Sequence, residues 1–102
     1  MKWYKNLYIG EKASKRKKTI IARCKIGKPQ LGTYLITLPV NDSNSLEIYP
    51  SYVLLQEHYK KKNMFVVGIA LEREEALEVV QKILMDCYDR TGQFLVREMV
   101  LN

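Results

Sequence analysis

The sequence predicts one α/β domain over residues 1–102, with elements in the order β-α-β-α-β-α-β. Three observations predict it. Two short runs, TYLITLPV at 33–40 and MFVVGIAL at 64–71, have the branched and aromatic composition of strands covered on both faces. Segment 72–91 places apolar residues at helical spacing and ends at Gly92. Helical and strand patterns also alternate along the chain, which favours four mostly parallel strands joined by right-handed crossovers through three helices.

The first strand is read from Trp3 to Ile9, with Trp3, Leu7 and Ile9 on one side and Tyr4, Asn6 and Tyr8 on the other. Gly10 breaks the alternation. From Lys12 to Ile26 one helix is expected, with Ala13, Ile20, Ile21 and Cys24 in its apolar sector, Lys12, Lys15, Arg16, Lys18, Arg23 and Lys25 opposite, and Gly27 and Pro29 at its end. After the second strand, NDSNS at 41–45 has the composition of a turn or helix N-cap. Pro50 then suits the first turn of a helix over 50–61, with Leu46 to Tyr49 as an extra turn or an irregular lead-in. The third helix carries Ala76, Leu77, Val80, Ile83, Leu84, Cys87 and Tyr88 on its apolar face. A last strand over 94–101, interrupted by Arg97 and Glu98, suits a sheet edge.

Two polar outer strands and two apolar inner strands suggest the order 1-2-3-4. Right-handed crossovers would then put all three helices on one face and leave the other bare, for a second copy of the chain to cover as a homodimer. A small doubly wound sandwich, with helices on both faces, is the alternative and needs no partner.

Composition excludes several classes. No apolar run approaches the roughly 20 residues of a membrane span, and the N-terminal residues lack the apolar core of a secretion signal, so a cytoplasmic protein without membrane contact is expected. Cys24 and Cys87 are far apart and form no C-x-x-C; they read as reduced core thiols, with neither a disulfide nor a metal site implied. His58 is the sole histidine, sharing a helical face with Leu54 and Leu55, and reads as a buried, hydrogen-bonded or packing residue, with a ligand or acid–base role as the alternative. Tyrosines 4, 8, 49, 52 and 59 read as an amphipathic core rim, with a ligand pocket or interface as the alternative. Without a nucleophile–base pair or metal constellation, no catalytic residue and no cofactor can be named, which weighs against an enzyme.

The charge is the informative feature. Residues 1–30 hold ten Lys and Arg against Glu11 alone, a local +9, whereas the rest of the chain carries −3. The first third is therefore where an anionic partner is attracted. Lys15, Arg16, Lys18, Arg23 and Lys25 are the candidate contacts for an acidic protein or a nucleic acid, although the inferred polar face lacks the interleaved aromatics that stack on single-stranded bases. A solvated helix face has the same composition. The alternative site is a small-molecule or phosphate site at the carboxyl ends of parallel strands, from Gly10, Lys12, Ser14, Asn41, Asp42 and Gly68. GEKAS at 10–14 would supply its phosphate turn, although it matches no established phosphate-loop motif.

The run from FVVGIALEREEALEVVQKIL to DCYDRTGQFLVRE resembles small bacterial proteins of unknown function that share a G-[IL]-A, E-E-A-L, Y-x-x-T-G progression, and the preceding YLITLPVNDSNSLEIYPSYVLLQEHYKKKN fits the same pattern. The resemblance covers about two-thirds of the chain and implies a compact bacterial α/β domain without implying an activity. The expected function is that of a non-enzymatic binding or adaptor domain.

Overall fold

A computed structural model describes residues 1–41, 45–60 and 62–101. Its strands are β1 (Lys2–Ile9), β2 (Thr33–Leu38), β3 (Glu47–Pro50) and β4 (Phe65–Leu71). Its helices are α1 (Glu11–Ser14), α2 (Lys17–Lys25), α3 (Ser51–Leu54), α4 (Glu57–Lys60), α5 (Glu72–Thr91) and α6 (Val96–Leu101). The four strands form one sheet in the order β1-β4-β2-β3. Only β1 and β4 run parallel; β2 is antiparallel to both of its neighbours.

The two apolar runs are the two central strands, as their composition requires. Leu35 of β2 faces one side of the sheet and Ile36 and Leu38 the other. β1 lies at an edge, with Trp3, Leu7 and Ile9 against one core and Tyr4 and Tyr8 against the other, the alternation read from the sequence. In β4 the alternation switches at Gly68: Val66 and Ile69 serve one core, Val67 and Ala70 the other. A bulge accounts for this, because Ile36 opposes Gly68 while the next residue, Thr37, opposes Val66.

Several sequence expectations are corrected. The fourth strand is Glu47–Pro50, not 94–101: β3 pairs antiparallel along β2's free edge, and of the polar cluster at 41–45 residues 42–44 lie outside the described residues. That pairing reverses chain direction, and the parallel 1-2-3-4 order is lost. Residues 96–101 instead form α6, where the i,i+4 pair Val96 and Val100 is buried against the α5 side of the core; Arg97 reaches from it to the carbonyls of Pro39 and Asn41. The helix expected over 50–61 is two short helices separated at Leu55 and Gln56.

Both sheet faces are covered by helices of the same chain. Ile20 and Cys24 of α2, Ala13 of α1 and Leu54 of α3 pack on one face with Leu35, Val66 and Ile69. Ala76, Val79, Ile83 and Cys87 of α5 pack on the other with Ile36, Val67 and Ala70. The bare face that called for a second copy is absent from this topology. His58 is exposed, its ring set edge-on to Tyr59 at 5.0 Å, because the break after α3 turns it away from Leu54.

Candidate functional site

The basic segment is two helices meeting at a corner. Ser14 Oγ donates to the Glu11 carbonyl at 2.7 Å, and the Arg16 amide reaches back only to Ala13, at 3.0 Å, which closes α1 in a tight final turn. Lys15 and Arg16 form the corner, and α2 begins at Lys17 with no side-chain cap and no acid in its first turn. Within a continuous helix Lys17 would fall near the apolar sector; the corner exposes it beside the cations that the sequence singles out.

Lys15, Arg16, Lys17, Lys18, Arg23, Lys25 and Lys28 are all exposed. Among the described residues none of these seven is held in an ion pair; the pair present joins Lys12 Nζ to Glu72 Oε2 at 3.0 Å. That hydrogen-bonded pairing raises the Lys12 ammonium above its ordinary pKa. The corner itself is concave, a cavity of about 330 Å³ lined by Ser14, Lys15, Arg16, Lys17, Lys18 and Thr19. Four successive cations thus surround one surface depression.

This face rests on a fixed support. Gln30 is buried, and its side-chain amide donates to the Ile20 carbonyl at 3.2 Å and to Cys24 Sγ at 3.4 Å; the hydroxyl of buried Ser51 donates to the Gln30 carbonyl at 3.0 Å. The inner side of α2 is thereby tied to α3. Burial pushes the Cys24 thiol up from its ordinary pKa, and the Gln30 hydrogen bond opposes this only in part.

The alternative site does not assemble. Because β2 runs antiparallel to β4, its carboxyl end lies beside Phe65 at the start of β4, so Asn41 and Gly10 are at opposite ends of the sheet. Asp42 lies outside the described residues. Gly68 sits mid-strand, where an added Cβ would lie 3.0 Å from Val79 Cγ1 and 3.3 Å from the Tyr8 carbonyl oxygen; packing accounts for it.

Gly10, Lys12 and Ser14 do meet at the end of β1, but the turn already holds an anion. Glu75 of α5, only 6 % exposed, accepts the amides of Lys12 at 2.7 Å, Ala13 at 3.1 Å and Leu71 at 3.0 Å. The adjoining cavity, about 320 Å³, is also lined by Glu11 and Glu78, with Lys82 the one cation among its lining residues. Carboxylates there disfavour a phosphate. Among the described residues no cluster of His, Cys, Asp and Glu could hold a metal ion, and no helix is long and apolar enough to cross a membrane.

The tyrosines divide between the two cores. Tyr4 and Tyr8 stack at 6.4 Å on the α5 side, and Tyr49 and Tyr59 meet at 5.4 Å on the α2 side. Each is half-buried at a core margin, and Tyr52 is exposed. Comparison of the chain with protein-family models, with curated proteins and with solved structures found no match, so the reading of this site rests on its own chemistry.

Proposed function

We propose that this protein is a non-enzymatic binding domain whose α1–α2 corner and α2 face contact the phosphate backbone of a nucleic acid. The observation that carries the reading is the concave corner with its four successive exposed cations, unpaired with any described acid. Arg23 and Lys25 extend the same charge along α2. Side chains held in water and free of internal partners can exchange condensed counterions for phosphates, which makes such binding salt-dependent and largely independent of sequence.

The test is a salt titration of binding to single- and double-stranded oligonucleotides. Five phosphate contacts predict a slope of log K against log salt of about −4.5 on duplex, since each contributes about −0.9. Replacing Lys15, Arg16, Lys18, Arg23 and Lys25 together by Glu abolishes binding and leaves the circular dichroism spectrum unchanged, because all five are exposed. Absence of binding at low salt overturns the reading, and capture of an acidic protein instead would assign the same face to a different partner class.

A further inference from the structure

The sequence reading found no aromatic residue interleaved with the cations of the basic face. The tertiary structure supplies one from elsewhere. A cavity of about 490 Å³ opens at the carboxyl end of α2, with Trp3 of β1, Leu55 beyond α3, and Cys24, Lys25 and Ile26 in its walls. Its volume falls within the roughly 300–1,000 Å³ of small-ligand sites. Among the described residues no carboxylate lines it, in contrast to the cavity beside Glu75.

Three features describe what would fit. Trp3 is the only tryptophan of the chain and is half-buried, so its ring is held in place without being sealed in the core. Ile26 stands 68 % exposed at the lip, a large apolar side chain left in water that a flat apolar group would cover. Lys25 sits at the same lip and lies seven residues from Lys18 on one face of α2, about 10 Å along the helix. Lys18 and Lys25 therefore link the basic corner to an apolar cavity with an aromatic wall.

Resting on the function proposed above, we infer that the ligand is single-stranded nucleic acid, with one unpaired base entering the Trp3 cavity while its flanking phosphates lie on Lys25 and the corner. A planar base with an adjacent negative charge matches an apolar cavity with a cationic rim. A duplex keeps its bases stacked and offers the cavity nothing, so only its phosphates would be bound.

Fluorescence excited at the red edge of the near-UV band, where the tyrosines do not absorb, tests this directly, because Trp3 is the one tryptophan. The full chain is titrated with oligothymidylate, with a blunt duplex of equal length and with thymidine monophosphate, and affinities are measured in parallel by anisotropy of labelled oligonucleotides. Oligothymidylate is expected to quench Trp3 emission and the duplex to bind without quenching. Trp3→Leu, which keeps an apolar side chain against the core, is expected to lower single-strand affinity about tenfold and leave duplex affinity unchanged. Salt-dependent binding with unaltered emission and equal affinities for Trp3→Leu would overturn the base-insertion inference and leave the basic face standing. Quenching by thymidine monophosphate at the same concentrations as oligothymidylate would overturn it in favour of a free-nucleotide pocket. Failure of every oligonucleotide to bind at low salt would remove both readings.

Discussion

Gly10 and Glu75 are fitted to one another across 65 residues of chain: a Cβ added at Gly10 would overlap the Glu75 carboxylate. The carboxylate holds the start of α1 and the end of β4 together through three amide hydrogen bonds, so it cannot step aside without leaving the buried Ala13 amide and two part-buried amides unpaired. Glu75→Ala is expected to cost about 3 kcal/mol in a urea melt, and Gly10→Ala about 2 kcal/mol. In the Glu75→Ala background the Gly10→Ala change should cost less than about 0.5 kcal/mol, because the obstructing atoms are gone. Additive losses would show that the two residues do not act on one another.

Gly68 is expected to be a packing position. Its added methyl would crowd Val79 Cγ1 at 3.0 Å and Ile36 Cδ1 at 3.4 Å, so Gly68→Ala lowers stability by about 2 kcal/mol. The affinity of the remaining folded protein for oligonucleotides should be unchanged, as measured by anisotropy. A selective loss of binding would return Gly68 to the functional set.

Stability should fall on the alkaline side. Burial, and a hydroxyl hydrogen bond to Asp86 at 2.9 Å, push the Tyr8 phenol from 10.0 up to about 12. Burial and the hydrogen bond to Glu47 do the same for Tyr49, also to about 12. Below pH 10 both phenols are protonated in the folded and unfolded chain alike, and their contribution is fully present. Between pH 10 and about 12 the unfolded chain releases protons that the folded chain retains, so stability declines as the pH rises. Thermal melts of Tyr8→Phe and Tyr49→Phe should show a shallower decline over this window than the parent chain.

Neither thiol should react readily in the folded protein. Cys87 is fully buried and Cys24 is 5 % exposed, and burial raises the Cys24 thiol above its ordinary pKa, which reduces the reactive thiolate at neutral pH. Modification by a disulfide reagent at pH 7.5 should be slow and should accelerate to completion in denaturant. Rapid native labelling of one thiol would locate it at Cys24, beside the cavity that holds Trp3.

Much of the fold was legible because local composition reflects burial. TYLITL and FVVGIAL can be stable only between two covered faces, and they are the two central strands. The alternation of Trp3, Leu7 and Ile9 with Tyr4 and Tyr8 placed β1 at a margin, and the long apolar stripe ending at Gly92 delimited α5. Residues 96–101 were misread because Val96, Val100 and Met99 satisfy a short strand as readily as one and a half turns of helix. Glu47–Pro50 was missed because four half-buried residues carry too little periodicity to register as a strand.

By itself the sequence determined the charge of the basic segment, the composition of the two central strands and the long helix, since each depends on residues close together in the chain. Tertiary structure decided the strand order and direction, which follow from β3 pairing with β2 across a connection that composition does not orient. It also decided what surrounds both candidate sites. Glu75 fills the strand-end turn from 62 to 65 positions away in the chain, and Trp3 reaches the end of the basic helix from a neighbouring strand. Contacts of that separation leave no local signature, because the residues that make them are brought together only by packing on both faces of one sheet.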